Sequence, residues 1–312
     1  MIRIGAINID TSHPKAFGET LEVIGRGKYV AVYDDSFRSD DEVNGFIKRF
    51  KLEKRCSSLE ELAEMCDIGF IHSCNWDDHL RLAKPFFDKG KPIFIDKPLV
   101  GSIDDCKKVE ILAKEGKVIL GSSSVRYCYE IQNYLNTEIS ERGDIIQVYG
   151  TSGVDEFNYG IHIVEGGGGL IGDGAEWVRY VGSSEVAGNK CESYFVSYKN
   201  GIGFTYTTLS GVWQPFTMTI MTTKTTHQFT IDANRLYQAL LEQILNYMEG
   251  KANLLASPTS ILESIKIMIA GKTSKISDGE KCMIDSLDSS SPSFDGNSFY
   301  NNYSANAGKL YS

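Results

Sequence analysis

A lysine held between a carboxylate and a proline closes a short apolar run, Pro92-Ile93-Phe94-Ile95-Asp96-Lys97-Pro98-Leu99. The run reads as a buried parallel strand. In an open α/β sheet the ligand crevice lies beyond such strand ends, and Pro98 presses Lys97 toward extended backbone so that its ammonium is aimed. Lys97 is therefore a candidate acid/base or carbonyl-polarising group. Five histidines supply imidazoles. His13 falls in the turn after the first apolar run, where it can reach phosphate or substrate. His72 and His79 flank the loop Ser73-Cys74-Asn75, and His79 reads as a satisfied helix-start residue. His162 precedes Glu165 by three positions, so the pair shares a helical face and the carboxylate can orient the imidazole and raise its pKa. His-x-x-Glu without a third ligand at matching spacing is no metal site, and no metal is expected. His227, in an alternating run, reads as structural.

These residues are positioned by a regular alternation of elements. Ile2 to Ile9 reads as a strand, Pro14 to Ile24 as a helix and Tyr29 to Tyr33 as a second strand ending in Asp34-Asp35, a βαβ unit. Helices near Asp41 to Phe50 and Leu59 to Met65, a strand Ile68 to His72 and a helix Leu80 to Asp88 continue the pattern. After the Lys97 strand, Ser102 opens an acidic first turn, Gly116 closes that helix, and Val118 to Leu120 is the next strand. This predicts a doubly wound parallel sheet over residues 1–122. Longer alternating runs follow, with Ser193 to Tyr198 and Ile202 to Leu209 joined at Asn200-Gly201, and Phe216 to Thr222 beside Thr226 to Ile231. Ala175 to Val181 reads as a strand after an Asp-Gly turn. With helices near Arg235 to Met248 and Pro258 to Ala270, residues 123–285 are expected to form an α+β domain on a largely antiparallel open sheet. Residues 286–312, rich in Ser, Asn and Asp with Tyr300, Tyr303 and Tyr311, read as a loosely packed tail.

Composition bounds the function. A chain of 312 residues with 42% hydrophobic and 23% charged residues can bury a large core and suits two domains. A net charge of -9 argues against nucleic acid or anionic membrane as a partner. The chain enters its first strand at once, without a leader pattern, and no apolar run reaches the ~20 residues of a membrane span, so a cytoplasmic location is expected. Seven cysteines, an odd number with no CxxC pair, read as reduced thiols packed like small hydrophobes, Cys74 in a strand-end loop being the exception to watch.

In order, the strand-first βαβ unit, Ser73-Cys74-Asn75 with His79, Asp96-Lys97-Pro98, and Tyr159-Gly160-Ile161-His162-Ile163-Val164-Glu165 resemble the Gfo/Idh/MocA oxidoreductases over roughly residues 1 to 285. The resemblance implies a Rossmann domain binding a nicotinamide nucleotide, a second domain whose open sheet supports homodimers or homotetramers, and hydride transfer at a sugar or polyol carbon. It makes Lys97 and His162 the proton-transfer residues. It lays the cofactor along Asn8, Asp10, Thr11, Ser12 and His13, Asp34, Ser73, Asn75, Asp96 and Lys97, and the substrate along Arg126, Tyr127, Asn158, Tyr159, His162 and Glu165.

The departures are chemical. Asn8, Asp10 and His13 stand at the three glycine positions of the cofactor turn, whose glycines serve a tight turn, backbone approach to pyrophosphate and helix–strand packing. Asp10 would face the phosphates unless it turns to cap the helix, while the Thr11 or Ser12 hydroxyl offers an alternative cap and the helix N-terminus attracts an anion. Asp34 sits where an acid binds the adenine ribose of NAD. Asp35 repels a 2′-phosphate, which Arg38 would soften, so NAD is expected over NADP. Asn158 and Glu165 replace aspartates of the histidine motif, and Gly166 to Gly169 weaken that helix in a way that suggests a ligand or second subunit approaching its backbone. The expected function is NAD-dependent oxidation or reduction of a sugar, polyol or related hydroxylated molecule. Alternatives are a non-redox binding or regulatory protein on this fold, and a lyase or epimerase using tightly held NAD.

Overall fold

The computed structural model describes residues 1–121 and 123–310; Tyr311 of the tail lies outside the described residues. Strand β1 (Ile2–Ile7) runs into a turn that Asn8 makes with φ 57°. A left-handed backbone is the conformation a glycine would supply, and asparagine is among the few other residues that tolerate it. Helix α1 (His13–Ile24) follows with Pro14 in its first turn and Gly25 as its left-handed C-cap. Strands β2 (Gly27–Tyr33), β3 (Lys54–Arg55), β4 (Ile68–Ile71), β5 (Ile93–Ile95) and β6 (Ile119–Gly121) complete a six-stranded parallel sheet. Its order is β3-β2-β1-β4-β5-β6, so the winding reverses between β1 and β4 and opens a crevice there.

The crossover helices begin where their caps dictate. Helix α2 (Asp40–Phe50) starts in a capping box of Ser39 and Glu42, α3 (Leu59–Met65) is capped by Ser58, α4 (His79–Asp88) follows Asp78, and α5 (Ile103–Lys114) is capped by Ser102. The two short helices α6 (Tyr129–Asn136) and α7 (Ile139–Arg142) lead into the second sheet.

That sheet contains β7 (Ile145–Ser152), β8 (Ala175–Val186), β9 (Asn189–Tyr198), β10 (Gly203–Leu209), β11 (Thr217–Thr222), β12 (Thr226–Thr230) and β13 (Cys282–Met283), in the order β12-β11-β7-β10-β9-β8-β13. All its pairings are antiparallel except β7 with β10. Alternation along β9 buries Tyr194, Val196 and Tyr198 on the inner face. Helices α8 (Gly160–Ile171) and α10 (Pro258–Ile276) pack against it. Helix α9 (Leu236–Met248) belongs to the first core instead, its Leu240, Leu241, Ile244 and Leu245 clustering with Ile4, Phe17 and Leu21.

The glycine run of α8 is met at close range by this chain's own side chains. A Cβ on Gly167 would stand 2.7 Å from the Phe204 ring, and one on Gly168 2.7 Å from the Arg126 guanidinium. The segment from Ser286 is not loosely packed. Phe294 is buried and stacks on Phe157 at 3.9 Å, and Asp295 caps a further helix, α11 (Gly296–Asn306), that lies against the first domain. Its Ser and Asn content signalled solvation, but these side chains serve here as caps and cross-chain hydrogen-bond partners.

Candidate functional site

The crevice is floored by the turn after β1. Asp10 neither faces outward nor caps α1: it is fully buried, with one oxygen accepting from the Cys74 amide at 2.9 Å and the Ser73 hydroxyl at 3.2 Å. The partial cap comes from Thr11, whose hydroxyl accepts from the His13 amide at 3.2 Å, while the Ser12 side chain caps nothing. Asp34 clamps the same turn, accepting from the amides of Ile9 and Ser36 and from the Ser36 hydroxyl. Arg38 donates to the Asp10 carbonyl, to Glu42 and to the Gly308 carbonyl, so its guanidinium is committed.

Burial raises the Asp10 carboxyl to about 6; the Cys74 amide pulls it back and the Asp34 charge adds to it. Folded protein therefore holds a proton that unfolded chain releases between 3.8 and about 6, and stability falls as pH rises through that window. The loss amounts to about 3 kcal/mol at 1.36 kcal/mol per pH unit. Asp10→Asn, which keeps the acceptor for Cys74 and Ser73, is expected to remove most of that slope. Urea unfolding of both proteins at acid and neutral pH checks it; an unchanged slope in the variant refutes the assignment.

Above this floor stands a small cluster. The His13 ring, at the start of α1, lies 2.6 Å through Nδ1 from an Asp96 carboxylate oxygen and packs against Tyr237 with ring centres 5.4 Å apart. His72, whose Nε2 meets the Tyr29 hydroxyl at 2.8 Å, stands behind the same oxygen at 3.6 Å. Burial alone would raise the Asp96 carboxyl, but the His13 and His72 imidazoles hold it well below the usual range. The neighbouring Lys97 ammonium donates to the Asn158 carbonyl at 3.0 Å and to its side-chain oxygen at 2.8 Å, and lies over the Tyr159 ring at 5.3 Å. Desolvation lowers the lysine's pKa against the opposing charges of Asp96 and Asp155. His79 brackets the loops: its two ring nitrogens lie 2.9 Å from the Ser73 and Leu99 carbonyl oxygens.

Thr11, Ser12, His13, Ser73, Asp96, Lys97, Asn158 and Tyr159 thus meet in one cavity, together with His72, Cys74, Phe299 and Tyr303. Burial pushes the Cys74 thiol far up, which makes it inert. Asn75 is nearby but bonded to Asn297 of the tail. Of the remaining expected residues, Arg126 and Tyr127 line a separate cavity, and His162 lies beside the Lys97 cavity with its ring centre 5.8 Å from that of Tyr159. Glu165 does not orient His162; it accepts from Arg126 at 2.7 Å in a buried ion pair behind the second sheet's helices. Tyr127 is packed in the first core, its hydroxyl accepting from the Ala256 amide. His162 is held by the Ser123 hydroxyl at 2.5 Å and packs on Phe216; burial and the Lys97 charge keep it neutral. Sequence reasoning missed Ser123, Asp155, Tyr237, Phe299 and Tyr303. Only Ser123, in the strand-end segment before Arg126, carried a local signal.

The residues of the Lys97 end suit a nicotinamide group: polar hydrogen-bonding side chains surround a helix N-terminus and a buried ammonium, and Asn8 supplies the turn. The other end of the crevice, toward Arg38 and Asn75, is covered by residues 294–310. Among the described residues no group of three or more His, Cys, Asp or Glu could hold a metal ion, and no helix is long and apolar enough to cross a membrane.

Residues 4–124 match the family described as an oxidoreductase family with an NAD-binding Rossmann fold, Gfo/Idh/MocA. That match is confined to the first domain. The whole chain shares its fold with solved structures at low identity. An oxidoreductase from Thermotoga maritima is 20% identical, with 92% of this chain and 99% of that one covered and a TM-score of 0.74. The scyllo-inositol dehydrogenase of Lactobacillus casei, solved with NAD(H) and scyllo-inositol, is 13% identical over 92% and 100% of the two chains at 0.76. A UDP-N-acetylglucosamine 3-dehydrogenase from Acidithiobacillus ferrooxidans is 13% identical over 88% and 97% at 0.70. No curated protein matches the sequence.

Proposed function

We propose that this chain is an NAD-linked dehydrogenase acting on a secondary hydroxyl of a sugar or polyol. The observation that carries the reading is the meeting of the Lys97 ammonium and the Asp96-backed His13 imidazole in one cavity at the winding reversal of a Rossmann sheet. Bound NAD would supply the hydride acceptor at the carbinol carbon. In the oxidative direction His13 takes the hydroxyl proton, Asp96 orienting the ring and stabilising its cationic form. Lys97 stabilises charge developing on the substrate oxygen, and Asn158 fixes the ammonium. His162, kept neutral, serves as a hydrogen-bonding group rather than a proton store. Asp34 and Asp35 after β2, with Arg38 already committed, favour NAD over NADP. The outer face of the second sheet, with Tyr149, Phe195 and Met221, supports a homo-oligomer.

A second reading, ligand binding without redox chemistry, is favoured by the covered adenosine end of the crevice. Incubating the protein with NAD or NADP and a panel of inositols and aldoses, while following reduced nicotinamide by absorbance, separates the two. Reduction of NAD faster than NADP is expected. No reduction with any polyol would sink the redox reading.

A further inference from the structure

We propose that the C-terminal segment, residues 294–310, is an intramolecular competitor for the adenosine half of the dinucleotide crevice; this rests on the NAD reading above. The segment lies on the residues that follow β2 and β4, the ground on which a dinucleotide extends away from the Lys97 cavity. Its grip is spread along that path. The Trp76 indole donates to the Phe294 carbonyl at 2.7 Å, and Phe299 packs on the Trp76 ring with centres 5.0 Å apart. Asn297 accepts from Asn75 and donates twice to Asp77. Tyr300 and Tyr303 lie against Phe37, two residues beyond Asp35, with ring centres 5.5 and 6.2 Å apart. The Gly308 carbonyl accepts from Arg38, and the Leu310 amide donates to Glu42.

Two observations make this a competitor rather than a wall. With the segment seated, the cavity beside Lys97 is about 90 Å³, and Phe299 and Tyr303 form part of its lining. Ligand sites typically enclose about 300 Å³ or more, so a dinucleotide enters only when the segment leaves. The segment can leave cheaply, because from residue 294 onward only Phe294 and Gly296 are buried and the remaining contacts are half-exposed polar and aromatic ones. Of the α11 side chains, only Phe299 packs against a core cluster, and it does so from the edge. Apparent dinucleotide affinity is then the intrinsic affinity scaled by the fraction of molecules with the segment released.

The test uses the full chain. NADH is titrated by its fluorescence into the natural protein, into the double variant Asn297→Ala/Phe299→Ser, and into Tyr300→Ala, which removes only the Phe37 contact. Amide hydrogen exchange over 297–306 is followed with and without saturating NADH. Loosening the segment is expected to tighten NADH binding about tenfold or more in the double variant, with Tyr300→Ala moving the same way, and NADH is expected to deprotect α11 in the natural protein. Equal NADH affinity in all three proteins, or α11 amides that stay protected at saturation, overturns the competition while leaving the cofactor reading intact. If NADH binds none of them although α11 exchanges freely in the double variant, both the competition and the cofactor reading fall.

Discussion

Lys97→Met is expected to lower kcat for NAD-linked polyol oxidation by about 10²–10³-fold, the loss that follows removal of one donor to a developing oxyanion. The substitution keeps the stem and its burial but deletes the ammonium, leaving the Asn158 oxygens without their donor and Asp155 without its compensating charge. Because that charge is realised mainly in the transition state, kcat falls more than KM rises. Steady-state kinetics over a substrate series, with circular dichroism to confirm the fold, measures the split. Turnover within twofold of the natural protein would remove Lys97 from the mechanism.

His13→Ala carries an expectation of similar size, about 10²–10⁴-fold, the usual contribution of a positioned acid or base. Its geometry makes a distinctive secondary prediction. Asp96 meets His13 at 2.6 Å and stays ionised through the neutral range, so it stabilises the imidazolium and holds the ring in one orientation. Asp96→Asn withdraws that support, and kcat for polyol oxidation should fall with little change in KM. His162→Gln should leave kcat close to that of the natural protein, since His162 is buried, neutral and tied to Ser123. If His162→Gln abolishes turnover and His13→Ala does not, the two histidines exchange roles.

The comparison of sequence with structure turns on the range of each interaction. The strand at Ile93–Ile95, the helix start at Ser102 and the Asn200-Gly201 hairpin were legible because a period of two, a period of 3.6 and a turn are each decided within a few residues. Helix α11 was not legible. Its few apolar residues carry no helical stripe, and what holds it is Trp76, Phe157 and Phe37, which precede it by well over a hundred positions. The family resemblance likewise located Lys97 and Asn158 by motif but gave no means of seeing that His13 would stand against Asp96 inside the cavity.

By itself, the sequence determined the alternation of strands and helices in the first domain, the largely antiparallel character of the second sheet, and the placing of Lys97 at a strand end, since these follow from local backbone preference and side-chain periodicity. Tertiary structure alone decided the partner of each charge. Glu165 sits one helical turn from His162 yet pairs with Arg126, 39 residues earlier in the chain, and Asp10 turns inward to Cys74, 64 residues later. A buried charge must be compensated by whichever group the packing brings within reach. Spacing along one helix says which residues share a face, but only the fold says what that face meets.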